Sequence, residues 1–243
     1  AHLVSHSHTG ESISDLYPNF KGIYDKICTP LDINSIAKDS DIVFTSLPHG
    51  TSDSIVHFLH DEGIKVIDLS GDFRYRNVTA YEKWYDRVHQ SPHLLEKSVY
   101  GLPEIYRDHI ADADIIGNPG CYSTCAILGL APLVASQAIY PNSIIIDAKS
   151  GATGAGKTPS QELHFCELDE NMRAYKVATH RHTSEIEEVL SLLTHEDVEL
   201  SFTPHLLPIK RGILCTMYAN LNELYPFDYI YDMYTEFYDG EPF

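Results

Sequence analysis

The chain has 243 residues, 43% apolar and 11% aromatic, enough to bury one large core or two modest ones. Its 17 lysines and arginines face 35 acids, a formal charge of −18, which argues against a nucleic-acid partner because that needs a basic face. No apolar run approaches bilayer length and no signal-peptide pattern opens the chain, so no membrane partner is expected. Five cysteines without framework spacing fit a reducing cytoplasm, and no cysteine–histidine set has the spacing of a metal site.

Residues 2–5 read as a short strand and residues 41–46 (Asp-Ile-Val-Phe-Thr-Ser) as a stronger one, ending in the turn Leu47-Pro48-His49-Gly50. A helix follows from 52 to about 62 on the apolar stripe Ile55, Val56, Phe58 and Leu59, and Gly63 stops it. Strands are expected at 65–69 and 112–117, the second followed by a Gly/Pro turn and another helix. Continuous apolar strands joined by helices indicate an α/β, doubly wound parallel sheet. Ligands then bind at the carboxyl ends of the strands, here the turns after Ser46, Leu69 and Asn118. A dinucleotide fold opens with a strand and a glycine-rich turn, whereas this sequence starts at Ala1 on what reads as the second strand. It stops just after Asp239-Gly240, so both ends look cut. Beyond Pro119 the texture changes: residues 143–149, 199–203 and 212–221 are strand-like, with a helix starting near Ser184. A largely antiparallel sheet covered by helices is expected there. The reading is a partial dinucleotide-binding domain, residues 1–119, and an α+β catalytic and dimerisation domain, residues 120–243.

The main chemical signal is Gly117-Asn118-Pro119-Gly120-Cys121-Tyr122-Ser123-Thr124. A buried strand ends, a Pro-Gly turn follows, and a helix begins around Ser123, which leaves Cys121 at a helix N-terminus. Amide N–H groups and the macrodipole there favour a thiolate and could hold an oxyanion; a small buried cysteine in a turn is the competing reading. Cys125, Cys166 and Cys215 fall within apolar patterns and Cys28 in a turn, which suits structural roles. His180-Arg181-His182-Thr183 precedes a helix and combines two imidazoles with a guanidinium, suited to holding an anion while moving a proton; a solvated basic turn is the alternative. Arg74 follows a strand end and is a second anion-binding candidate, or a structural partner of an acid. Gly151-Ala152-Thr153-Gly154-Ala155-Gly156-Lys157-Thr158 fits the P-loop pattern, but Pro159 falls where the phosphate-capping helix should run. A glycine loop that approaches a ligand closely is the preferred reading.

Seven segments in order carry a resemblance: Ser46-Leu-Pro-His-Gly50, Asp68-Leu-Ser-Gly-Asp-Phe-Arg74, Tyr100-Gly-Leu-Pro-Glu104, Asn118-Pro-Gly-Cys-Tyr122, Lys149-Ser-Gly-Ala-Thr-Gly-Ala-Gly156, Tyr175-Lys-Val-Ala-Thr-His-Arg-His182 and Phe202-Thr-Pro-His-Leu-Leu-Pro208. Together they resemble the N-acetyl-gamma-glutamyl-phosphate reductase family, related to aspartate-semialdehyde and glyceraldehyde-3-phosphate dehydrogenases. The resemblance implies a cytoplasmic homo-oligomer that reduces a small acyl phosphate with NADPH through a Cys121 thioester. It implies His180 as acid/base with His182 second, and Arg74, Asn118, Arg181 and His182 as substrate contacts. Ser5, Ser7, Ser46, Gly50, Ser150, Gly151 and Gly154 would approach the cofactor. Ser5 and Ser7, polar where an NAD-selective enzyme places an acid, favour NADPH. Two alternatives are an aspartate-semialdehyde dehydrogenase-like reductase and a non-catalytic dinucleotide-fold fragment.

Overall fold

The computed structural model describes residues 2–242. Its first half runs α1 (Ile13–Leu16), α2 (Ile33–Asp39), β1 (Ile42–Thr45), α3 (Asp53–Asp61), β2 (Lys65–Asp68), α4 (Val78–Tyr85), β3 (Ser98–Tyr100), α5 (Pro103–Asp112) and β4 (Ile115–Gly117). The four strands form one parallel sheet in the order β1-β2-β4-β3. Short apolar runs such as Val66-Ile67 and Ile115-Ile116 suit strands covered on both faces, and Val66 and Ile115 are fully buried. Gly63 ends α3 at φ 76°, a conformation that glycine adopts without a Cβ clash. Asn77 caps α4 by accepting from the amides of Thr79 and Ala80.

Residues 2–5 depart from expectation. Val4 makes a single parallel bridge to Thr29 and no strand forms, because β-propensity yields a strand only where a neighbouring ladder receives it. Among the described residues β1 keeps one edge unpaired, and on this strand Ile42 and Phe44 are 48% and 67% exposed.

The second half comprises α6 (Cys121–Ala135), β5 (Ile144–Gly151), α7 (Phe165–Leu168), β6 (Arg173–Ala174), α8 (His182–Thr194), β7 (Leu200–Leu207), β8 (Ile213–Tyr218) and α9 (Phe227–Phe237). Its sheet has the order β6-β7-β5-β8 and is mixed. β5–β8 and β6–β7 are antiparallel, whereas the long central pair β5–β7 is parallel because the chain between them returns through α8. Ile127, Leu130, Ile144, Ile146, Ile186, Leu190 and Phe202 form the core where α6 and α8 cover this sheet. Each such side chain contributes about 2 kcal/mol through burial. A second core, around Val56, Leu59, Val66, Phe73 and Ile115, lies under the parallel sheet. The mixed sheet leaves Ile145, Leu214 and Tyr218 exposed. Among the described residues no helix is long and apolar enough to cross a membrane.

The end of β4 is packed without room for a side chain. A Cβ on Gly117 would lie 2.1 Å from the carbonyl oxygen of Phe73, and neither backbone can yield easily. Gly117→Ala should lower stability by about 3 kcal/mol, measured as a fall in the thermal unfolding midpoint; an unchanged midpoint would show that the contact relaxes freely.

Candidate active site

β4 runs into the turn Asn118-Pro119-Gly120, and α6 begins at Cys121, two residues earlier than the sequence suggested. The first amides of α6 have no intrahelical acceptor and lie at the positive end of the helix dipole, where Cys121 sits. Cys121 is exposed and lines a cavity of about 350 Å³ between the carboxyl ends of the parallel strands and the mixed sheet. Gly120 must be glycine here, since a Cβ would sit 2.3 Å from His182 Nε2.

Behind the cavity lies Glu185, in the first turn of α8 and 1% exposed. It accepts hydrogen bonds from the Gly120 amide (2.8 Å) and the Tyr100 hydroxyl (2.8 Å), and pairs with Arg74 Nη1 at 3.3 Å. Arg74 also donates from Nε to the Asn118 carbonyl at 2.7 Å and from Nη2 to that of Leu69 at 3.2 Å. One ion pair therefore ties the ends of β2 and β4 to α8 and to the residue before the nucleophile. Burial opposes the carboxylate, but Arg74 is the largest of several compensating partners and holds Glu185 below the usual range. Glu185 was not singled out from sequence; its i, i+3 spacing from His182 was the one sign of its role.

Three imidazoles line the cavity. His180 is driven down to about 3 by burial and then by His182, Lys176 and Arg181, so it is neutral near pH 7. Its Nδ1 accepts from the His182 amide at 3.2 Å, which assigns its proton to Nε2. His182 is also shifted downward by burial; its Nε2 lies 3.9 Å from Glu185, and its Nδ1 is buried without a partner. His49 is lowered to about 4 by desolvation, Arg181 and Arg74, and its Nδ1 accepts from the Gly71 amide at 2.7 Å.

Of the residues expected from sequence, Cys121, His180, His182, Arg181, Arg74, Asn118, Ser150 and Gly154 line this one cavity. Ser46 and Gly50 flank His49 on the turn after β1, where the Gly50 amide donates to Asp72 at 2.7 Å. Gly151 is not among the lining residues; a Cβ there would meet the Arg211 amide at 2.6 Å, so its bareness admits the β7–β8 turn. Ser5 and Ser7 lie outside the cavity lining, and the Ser5 hydroxyl accepts from the His8 amide. The P-loop look-alike runs from β5 into a single 3-10 turn, Ala152–Ala155, and Lys157 lies over the Tyr17 ring at 4.0 Å. No helix N-terminus forms there to receive phosphate. Tyr85, Tyr122, Tyr175 and Lys176 also line the cavity and were not singled out from sequence. Among the described residues no group of three His, Cys, Asp or Glu could hold a metal ion.

A parallel-sheet half joined to a mixed-sheet half, with a cysteine at the helix start between them, is the architecture of the semialdehyde dehydrogenase class. Residues 1–113 match the semialdehyde dehydrogenase, NAD binding domain, and residues 121–243 the semialdehyde dehydrogenase, dimerisation domain. The fold resembles aspartate semialdehyde dehydrogenase II from Vibrio cholerae, with a TM-score of 0.66 and 14% identity over 95% of this chain and 68% of that one. It likewise resembles the Candida albicans aspartate semialdehyde dehydrogenase with NADP, with a TM-score of 0.65 and 14% identity over 96% and 67%. The sequence is 51% identical to the N-acetyl-gamma-glutamyl-phosphate reductase of Acetivibrio thermocellus and 52% identical to that of Caldicellulosiruptor bescii, over 99% of this chain and 70% of each relative. The chain belongs to the N-acetyl-gamma-glutamyl-phosphate reductase family.

Two outcomes follow from these electrostatics. Glu185→Gln leaves Arg74 buried beside a neutral partner and should cost on the order of 3 kcal/mol, read by denaturant unfolding; a midpoint equal to that of the parent would remove Glu185 as the tie. Folded-state values for His180 and His49 lie below their unfolded value near 6.5, so the unfolded chain binds more protons between about 6.5 and 3. Their contribution is therefore complete above pH 6.5 and lost as pH falls toward 3. Thermal midpoints should drop between pH 7 and 4.5, less steeply in His180→Gln; equal slopes would contradict the assignment.

Proposed function

We propose that the chain catalyses NADPH-dependent reduction of N-acetyl-γ-glutamyl phosphate to N-acetylglutamate semialdehyde and phosphate, in arginine biosynthesis, with Cys121 as nucleophile. The observation that carries this reading is the placement of Cys121 as the first residue of α6, facing a cavity that also holds three imidazoles and the cations Arg181 and Lys176.

The nicotinamide cofactor fits the same cavity by the character of its walls. The turns after β1, β2 and β4 supply one side, and Ser150 and Gly154 the other; a Cβ on Gly154 would fill space next to the Ser150 hydroxyl, at 3.0 Å. Ser150, Gly154 and the turn Ser46–Gly50 are assigned to the nicotinamide half, and the segment with Ser5 and Ser7 to the adenosine half. When bound, NADPH supplies the hydride that converts the enzyme-bound thioester into the aldehyde.

The remaining chemistry belongs to the chain. His182, its Nε2 side turned to Glu185 and its Nδ1 unpartnered, accepts the Cys121 thiol proton. The Cys121 sulfur then attacks the acyl carbon, the C–O bond to phosphate breaks, and a thioester forms. The first amides of α6 face the oxygen that becomes negative, and His180 donates to it from Nε2. This neutral donor is spared the proton loss that an imidazolium would suffer above its pKa. Arg181, Lys176 and the remaining donors of Arg74 hold the anionic groups of the substrate, with Asn118 on the adjoining turn.

The family description of residues 121–243 as a dimerisation domain supports a homo-oligomer, for which the face carrying Ile145, Leu214 and Tyr218 is the assigned surface. A cytoplasmic location suits five free cysteines, one of them the nucleophile.

NADPH oxidation by the full chain with N-acetyl-γ-glutamyl phosphate tests the activity, and Cys121→Ala should abolish it by at least about three orders of magnitude. Brief iodoacetamide treatment near neutral pH should label Cys121 ahead of Cys28, Cys125, Cys166 and Cys215, in parallel with loss of turnover. Activity that survives in Cys121→Ala would rule out the thioester route.

A further inference from the structure

Two sets of ring contacts line the cavity. In one, His180 meets Tyr122, the neighbour of Cys121, and Tyr175 edge-on, each at 5.7 Å between centroids. In the other, the Arg181 guanidinium carbon lies 4.6 Å from the centre of the Tyr85 ring, and Tyr85 meets His49 edge-on at 5.3 Å. Arg181 sits at the N-cap of α8 and Tyr85 is the last residue of α4, so this stack spans the two halves of the chain.

Tyr85 is held firmly. Its ring stacks on Tyr81 at 4.7 Å with 16° between planes, and Tyr81 donates to buried Asp72 at 2.9 Å. The Tyr85 hydroxyl occupies the place where Gly71 lacks a side chain; a Cβ there would be 2.0 Å away. Arg181, by contrast, forms no ion pair with any described carboxylate. Arg74, the other guanidinium in the cavity, spends donors on Glu185, Leu69 and Asn118.

We propose that Tyr85 is a positioning residue that holds the Arg181 guanidinium flat in the cavity, where it receives the α-carboxylate of the N-acylamino-acid substrate. This rests on the acyl-phosphate reading above and assigns one of its anionic groups to one cation. A stacked guanidinium keeps its edge N–H groups free in a planar fork that matches a carboxylate. Without the ring, Arg181 would sample many rotamers and lose that preparation on binding. A substrate whose reacting carbonyl sits at Cys121 carries its α-carboxylate several bonds away, which calls for a second anion-binding group in the same cavity.

The test is calorimetric titration of the full chain with N-acetyl-L-glutamate and with 4-acetamidobutyrate, which keeps the acetamide and the distal carboxyl but lacks the α-carboxylate. Tyr85→Leu should weaken N-acetyl-L-glutamate about tenfold and leave 4-acetamidobutyrate and NADPH unchanged. Tyr85→Phe, which retains the ring face, should behave as the parent. If Tyr85→Leu fails to fold, Tyr85→Met, whose flexible side chain refills the space, carries the same comparison. Equal weakening of both acetamido ligands, no weakening of either, or a loss confined to NADPH would overturn the assignment. A parent chain that binds neither ligand would overturn the substrate reading and this subsite with it, an outcome visible before any variant is made.

Discussion

Placement of the nucleophile depends on a buried ion pair between residues 111 positions apart. Glu185 and Arg74 are almost wholly removed from water, an arrangement that would be costly for either alone. Each is rescued by hydrogen bonds beyond the pair: Glu185 by Gly120 and Tyr100, Arg74 by the carbonyls of Leu69 and Asn118. The partners are the strand-end turns and the residue that precedes Cys121. The parallel sheet, α8 and the start of α6 are thereby fixed relative to one another by a single charged junction. Tyr75 reinforces it, its hydroxyl 2.9 Å from that of Ser184 and donating to the Arg181 carbonyl. Glu185 thus supports the reaction through geometry, from behind the cavity it helps to shape.

The charge of the cavity is opposite to that of the chain. The protein carries −18 overall, yet Arg74, Arg181 and Lys176 all line the pocket, and the acid closest behind it is already paired. Local cations decide the affinity for an anionic substrate because exposed charges more than about 10 Å away are screened by salt. Burial first, and then cations of the cavity, disfavour protonation of His49 and His180. These two imidazoles work in the neutral form, each with a single N–H whose position is set by a backbone amide.

Much of this was legible in the sequence where the information is local. Continuous apolar strands, Gly63 as a helix stop and the Asn118-Pro119-Gly120 turn each depend on a few neighbouring residues, and all appear in the fold. Cys121 and the His180–His182 string could be picked out because turn chemistry places them at helix starts. Residues 2–5 failed because a strand needs a partner, which a sequence window cannot supply. Glu185 looked like an ordinary first-turn acid, since capping acids and buried ion-pair acids share the same residue type. Tyr85 lies in Glu82-Lys83-Trp84-Tyr85-Asp86, a string that reads as a solvated helix end; its role arises from Gly71 and Arg181, both distant in sequence. The mixed character of the second sheet was hidden similarly, since no strand records whether its partner runs parallel.

The glycine loop after β5 shows how context overrides a motif. Gly151-Ala152-Thr153-Gly154-Ala155-Gly156-Lys157-Thr158 has the residues of a phosphate cradle, but a cradle works through successive amides at a helix N-terminus. Here the chain makes one 3-10 turn, and Gly156 then turns to φ 85°. Thr153 ties the loop back to the Lys210 carbonyl through its amide and its hydroxyl, and Ala152 donates to the Ile209 carbonyl. The first amides of the loop, from Gly151 to Thr153, are committed to the β7–β8 connection. What remains available is the wall formed by Ser150 and Gly154, pressed close to the cavity because Gly151 lets the two backbones approach. The glycines are therefore spent on bringing one strand end near the reacting centre, a requirement of packing between β5 and the turn beside it.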